Sequence, residues 1–133
     1  MSNNSTAPSL RVVHSITELN ARDAGCIAVS GSHGGLSAAR YAVAARPLVS
    51  VFNDAGIGKD EAGIAGLALL QRHGLAACAV SHQSARIGDA QSTLDDGEIQ
   101  HVNAAARSLG VAVGERCADV VQRLRESSAP PGK

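Results

Sequence analysis

The chain has 133 residues, a length that suits one domain with a sizeable core. Twelve Lys and Arg residues balance twelve Asp and Glu residues, so the basic field that attracts nucleic acid or an anionic membrane surface is missing. Because the apolar runs are also shorter than the roughly 18 residues of a membrane helix, we expect no nucleic acid and no membrane as partner.

The N-terminal residues 1–9 are rich in Ser, Asn and Pro and lack apolar periodicity, as does the segment 127–133. We therefore predict two disordered tails around a single domain at 10–126. The first residues lack the basic and apolar regions of a secretory signal, which favours a cytoplasmic location. A zero net charge and the open edges of a small sheet favour self-association, so we expect a homo-oligomer.

Strand and helix patterns then alternate along the chain. Residues 11–13 predict a strand, and the capping box of Ser15 and Glu18 predicts a helix after it. Three continuous apolar runs predict strands buried on both faces of a sheet, at 26–29, 48–52 and 75–80. Helical spacing predicts crossover helices at 36–45, 60–73 and 96–109.

The last part of the chain continues this alternation. In the helix predicted over 96–109, one apolar face carries Ile99, Val102, Ala106 and Leu109. Residues 111–113 predict another strand, and the spacing of Cys117, Val120, Val121 and Leu124 predicts a C-terminal helix. About five strand-helix repeats predict a three-layer α/β sandwich, Rossmann-like or flavodoxin-like, with a mainly parallel sheet of four or five strands.

The three cysteines are widely spaced, and each lies in an apolar stretch, at Cys26, Cys78 and Cys117. This placement favours small buried hydrophobic residues over a disulfide or a zinc framework.

Polar loops with glycines follow the three central strands, at 30–35, 53–60 and 81–89. Ligands of open α/β sheets bind outside the carboxyl ends of the strands, near a point where the strand order reverses. We therefore expect the ligand site where these three loops meet.

The first loop combines glycines, which allow close backbone approach, with a helix N-terminus that favours an anion. Arg86 is the one arginine in the three loops, and its planar fork suits a carboxylate or a phosphate. The residues expected to bind this anion are Ser30, Gly31, Gly34, Gly35, Asn53, Ser81, Ser84 and Arg86.

Proton transfer is expected from His33 and His82, because imidazole titrates near neutral pH, with Asp54 beside them to orient or charge the rings. The structural alternative is that Asp54 caps its own loop and the histidines bond to backbone. The remaining histidines, His14, His73 and His101, are given structural or helix-dipole roles and are left out of the predicted site. Asn103 is also left out, as a helix residue that can face solvent.

Three minor hypotheses stay open beside this one. Residues 56–61 match a dinucleotide fingerprint in part, but Glu61 replaces its third glycine. Ser32, followed by Asp54 and His82, resembles the nucleophile elbow and residue order of the α/β-hydrolases, although the chain is short for that fold and Ser30 replaces a glycine. A metal could use His33, His82 and Asp54, but no short-range ligand motif supports it.

The leading hypothesis is a lyase, isomerase or hydrolase that acts on a small anionic metabolite bearing a carboxylate or a phosphate. His33, His82 and Asp54 would carry the acid-base chemistry, with Ser32 as a further catalytic candidate. Two aromatic residues are too few to sandwich a flavin, so the sequence favours cofactor-free or metal-assisted chemistry and names no cofactor. The alternative is a non-catalytic metabolite-binding or regulatory subunit of a larger complex.

Overall fold

A computed structural model of the chain describes residues 7–127 as one five-stranded sheet with helices packed on it. The strands are β1 Leu10–Val13, β2 Ile27–His33, β3 Val49–Asn53, β4 Ala76–Val80 and β5 Ile99–Val102. The helices are α1 Leu36–Ala45, α2 Ala65–Arg72, α3 Ala90–Asp96, α4 Ala104–Ser108 and α5 Cys117–Ser127. The α/β sandwich predicted from the sequence is confirmed.

The strands lie in the sheet in the same order as in the chain. β1 to β4 run parallel to one another, and β5 pairs antiparallel with β4. Because the order never reverses among these five strands, the sheet differs from a Rossmann sheet, whose strand order reverses beside the ligand. The carboxyl ends of β2, β3 and β4 nevertheless lie side by side, so the three polar loops that follow these strands begin at the same edge of the sheet.

Side chains of the central strands alternate between two apolar cores, one on each face of the sheet. On one face, Ala28 and Phe52 pack with α1, α2 and the residues that follow β1. On the other face, Val29 and Val51 pack with residues of α4 and α5. Burial on both faces explains why these strands appear in the sequence as continuous apolar runs.

The helix predicted over 96–109 is wrong. Gly97 ends α3, residues Ile99–Val102 form β5, and Asn103 caps the short helix α4. β5 and α4 both direct their apolar residues toward the same core. Together these residues therefore have the same spacing in the sequence as one face of a single continuous helix. Helical spacing alone could not separate these two arrangements.

The strand predicted at 111–113 is also wrong, because this segment has neither strand nor helix structure. Its neighbours instead bond to the outer edge of β5, where Ile99 donates to the carbonyl of Glu115 and accepts from Gly114. The helix predicted from residue 60 begins only at Ala65. Asp60 has a left-handed backbone conformation with a φ of 56°, which an α-helix cannot contain.

Several local predictions are confirmed. Helix α1 has the predicted bounds, and Ser15 and Glu18 form the predicted capping box, although the helix that it opens is a single 3-10 turn at Ile16–Glu18. All three cysteines are buried free thiols. Within residues 7–127, no helix has both the length and the apolar character to cross a membrane. Most of the two predicted tails, at 1–6 and 128–133, falls outside the described residues.

Candidate functional site

The third loop, residues 81–89, folds back over the carboxyl ends of β2 and β3. The backbone N–H of Gly88 donates to the carbonyl of Gly31 at 2.7 Å. The side-chain amide of Asn53 donates to the carbonyl of Ala85 at 3.0 Å. A Cβ on Gly31 would lie 2.5 Å from the backbone nitrogen of Asp89, so only glycine permits this approach.

This crossing occupies the place where the anion cradle was expected. Ser30 is fully buried within β2, and its hydroxyl donates to the carbonyl of Val51. Gly34 is buried as well, and its N–H donates to the carbonyl of Asn53. Gly35 is the N-cap residue of α1, and this helix start has no hydrogen bond to a capping side chain. None of these residues lines either of the two cavities described below.

A cavity of about 450 Å³ instead opens beside the end of β4, between the second loop, the third loop and β5. Ser81 and Ser84, two of the residues expected to bind the anion, line it together with Asp54 and His82. The remaining wall residues are Ile57, Gln83, Glu98, Gln100 and His101.

Asp54 is the centre of this cavity wall. Its side chain is only 7% exposed, and its two carboxylate oxygens face two different imidazoles. Oδ1 lies 3.3 Å from Nδ1 of His82, and Oδ2 lies 3.2 Å from Nε2 of His101. One buried carboxylate therefore lies within ion-pair distance of two histidine rings at the edge of one cavity, and it is hydrogen-bonded to the His101 ring.

Backbone groups complete the environment of Asp54. Its Oδ1 accepts hydrogen bonds from the N–H of Gly56 at 2.9 Å and from the N–H of His82 at 3.0 Å. Burial alone raises the pKa of Asp54, but these two bonds and the one with His101 together lower it below its usual value. Asp54 is therefore an ionised carboxylate at neutral pH.

The second loop wraps around Asp54 in a strained conformation. Ala55 and Ile57 have positive φ angles of 51° and 68°, which L-residues rarely adopt and a β-branched residue least of all. The N–H of Ile57 donates to the Asp54 carbonyl at 2.6 Å, and the carbonyl of Ile57 accepts from Gly63. These bonds hold the loop in its strained backbone conformation, and backbone strain of this kind concentrates at functional sites.

The other sequence candidates lie outside this cavity. His33 is exposed at the end of β2, where its ring lies against Gly35. Ser32 lies within β2, and its hydroxyl accepts a hydrogen bond from the backbone N–H of Ile16. It therefore does not stand on a strand-to-helix turn, as a nucleophile elbow requires. Arg86 is exposed and its N–H donates to Ser92. The structure thus brings together Asp54 and His82 of the four predicted catalytic residues.

His101 is the residue that the sequence argument missed. The sequence predicts His101 on the polar face of a helix. In the structure it lies in β5, with a half-buried side chain directed at Asp54. Asn103, treated as a solvent-facing residue, is buried at the N-cap of α4 and bonds to backbone on neighbouring elements. Correct assignment of β5 would have found His101, because an antiparallel neighbour of β4 begins beside the carboxyl end of that strand.

The predicted cofactor motifs gain no geometric support. Residues 56–61 end in a single 3-10 turn at Lys59–Glu61, and the next α-helix begins only at Ala65, whereas a dinucleotide-binding turn leads directly into an α-helix. In the described part of the chain, no three His, Cys, Asp or Glu residues are grouped so as to hold a metal ion.

A second cavity of about 540 Å³ adjoins the first along β5, and the two share Gln100 and His101 in their walls. Its wall is more apolar, because Ile64, Leu67 and Val102 contribute to it. The two cavities therefore lie next to each other at the edge strand β5.

No protein-family model, no curated protein sequence and no solved structure matches this chain.

Proposed function

We propose that the protein is an enzyme that moves protons on a small polar molecule bound in the cavity beside Asp54. The observation that carries this proposal is the shared carboxylate, since Asp54 contacts His82 through one oxygen and His101 through the other. A buried carboxylate that orients an imidazole is a recurring arrangement in acid-base catalysis.

The arrangement indicates which ring nitrogens can react. With Asp54 ionised, we assign the ring hydrogen to the nitrogen nearest the carboxylate, which is Nε2 in His101, where it makes a hydrogen bond, and Nδ1 in His82. Nε2 of His82 is then free to accept a proton from a bound molecule, and its side chain is 45% exposed at the cavity. Nδ1 of His101 is the second free nitrogen of the pair.

Two imidazoles at one cavity suit reactions that remove a proton at one atom and return one at another. We therefore favour isomerase or lyase chemistry over hydrolysis through Ser32, whose hydroxyl is engaged with the backbone of Ile16. The anionic substrate expected from the sequence is untested, and this proposal does not depend on it, because Arg86, its expected partner, does not line the cavity.

The test is hydrogen-to-deuterium exchange at carbon, which needs no knowledge of the product. The protein is incubated in D₂O with a panel of small hydroxy acids, amino acids and sugars, and loss of C–H signals is followed by proton NMR. We expect His82→Ala to slow exchange about 10²- to 10⁴-fold. The melting temperature should change little, since the bond from residue 82 to Asp54 comes from the backbone N–H.

The matched control is His73→Ala, at an exposed histidine at the end of α2 that lines neither cavity. This variant should retain the parent rate. Equal rates in the parent and His82→Ala would overturn the proposed role of His82.

The alternative function is a metabolite-binding or regulatory subunit, in which the same cavity binds a ligand without chemistry. A ligand that raises the melting temperature of the parent, but not of His82→Ala, and that shows no exchange or turnover, would favour this alternative.

A further inference from the structure

The two adjoining cavities differ in the character of their walls, and we infer that together they bind one amphiphilic ligand. Its cationic, hydrogen-bond-donating head lies in the cavity of Asp54 and His82, and its apolar tail lies in the second cavity along α2. The inference rests on the proposed function in one respect, since that function determines which end of the ligand reacts.

The charge of the first cavity selects the head group. Its wall contains the carboxylates of Asp54 and Glu98 and no Lys or Arg side chain. A carboxylate or phosphate head would meet these two negative charges without a permanent cation to offset them. A protonated amine would be attracted by these charges, and the amide and hydroxyl side chains of the wall can accept its hydrogen bonds as well as donate their own.

Glu98 is built to make that contact. Its backbone is fixed by two hydrogen bonds of 2.9 Å, from its own N–H to the hydroxyl of Ser84 and from the N–H of Ser81 to its carbonyl. Glu98 is exposed and lines the cavity, and among residues 7–127 its carboxylate takes part in no ion pair. A carboxylate on a fixed backbone, free of a protein partner, is the feature that a ligand amine would complement.

The second cavity supplies the surface for the tail. Ile64 and Leu67 form the side that faces α2, Val102 closes the end of β5, and Val113 stands at the rim with 57% of its surface exposed. His101 and Gln100 belong to both walls, so a ligand whose head reaches Asp54 would extend past these two side chains into the apolar part.

Two homologous series of probes test the inference, n-alkylammonium ions from ethyl to hexyl and n-alkylcarboxylates of the same lengths. Affinities are measured from backbone amide shifts in ¹H–¹⁵N NMR titrations of the whole chain. Complete burial of a methylene is worth about four-fold in affinity, and a cavity open on one side removes about half of that surface from water. We expect about two-fold per methylene for the ammonium series, and weaker binding of every carboxylate.

Two pairs of exposed substitutions locate the contacts without risk to the fold. Val113→Ser should reduce the gain per methylene, whereas Ile87→Ser, at an equally exposed residue outside both cavities, should not. Glu98→Gln should weaken all the ammonium ions by a similar factor of about three to ten. Glu126→Gln, on the outer face of α5, should leave them unchanged.

Affinity that is independent of chain length would overturn the apolar subsite, and carboxylates that bind more tightly than ammonium ions would overturn the cationic head. Binding and catalysis are separate readouts. Ammonium binding with the expected dependence, in a protein that exchanges no C–H proton, would leave this inference standing and defeat the proposed acid-base function. Exchange without ammonium binding would do the reverse.

Discussion

Asp54→Asn removes the negative charge at the centre of the candidate site and preserves the size of the side chain. Its Oδ1 accepts two backbone N–H groups, from Gly56 and His82. A hydrogen bond to a charged acceptor contributes about 1.5–3 kcal/mol and a neutral one about 0.5–1.5 kcal/mol, so each bond loses about 1 kcal/mol. The expected loss in the free energy of unfolding is about 2 kcal/mol, or about 6 to 10 °C in melting temperature for a chain of this size.

The pH dependence of this loss makes the prediction specific. The pKa of Asp54 in the folded protein lies below its usual value, so the ionised carboxylate stabilises the fold above about pH 4. That contribution disappears as the pH falls through the folded-state pKa. The difference in unfolding free energy between the parent and Asp54→Asn should therefore be present from pH 5 to 7 and shrink below pH 4.

Urea denaturation followed by circular dichroism at each pH measures this difference. Asp95→Asn is the control, since it makes the same chemical change on the exposed surface of α3. We expect that control to alter the unfolding free energy by less than about 0.5 kcal/mol. A parent and an Asp54→Asn variant of equal stability at pH 6, or a difference that persists unchanged to pH 3, would refute the argument that an ionised Asp54 is held by its backbone donors.

Other features of the structure give further expected outcomes. Asn103→Ala should lower the unfolding free energy by about 4 kcal/mol in urea titrations, because its side chain bonds four backbone groups on three neighbouring segments and on α4. Gly31→Ala should displace the third loop, since the added Cβ would overlap the backbone at Gly88, and limited proteolysis should then cut that loop faster than in the parent. Burial raises the pKa of all three thiols, to about 11 at Cys26, to about 12 at Cys117 and further at Cys78. The native protein should therefore react slowly with DTNB at pH 8, and unfolding in guanidinium chloride should expose three reactive thiols.

Sequence patterns predicted the parts of the fold whose surroundings are uniform. The runs at 26–29, 48–52 and 75–80 lie in strands buried on both faces, so every residue in them except Ser50 carries the same apolar signal. Helix α1 packs one face on the sheet and exposes the other, which gives the spacing that predicted its bounds. The last third of the chain lacks such uniformity, because β5 lies at the sheet edge and buries only part of its surface.

The candidate site was predicted in part, for a related reason. Asp54 and His82 follow neighbouring parallel strands, and the geometry of a parallel sheet places such residues together. His101 reaches them from an antiparallel strand whose pairing the local sequence does not encode. The closure of the expected anion cradle was equally hidden, since the approach of Gly88 to Gly31 joins segments more than fifty residues apart.

The unreversed order of the sheet has a consequence for how the protein is made. β2, β3 and β4 each pair with the strand synthesised just before them, so most of the sheet can grow stepwise as the chain leaves the ribosome. The site forms later, because Asp54 meets His101 only when β5 has closed against β4. We expect pulsed hydrogen exchange during refolding to protect β2 and β3 before β5, and a chain that stalls short of that last pairing would have a nearly complete sheet and no working site.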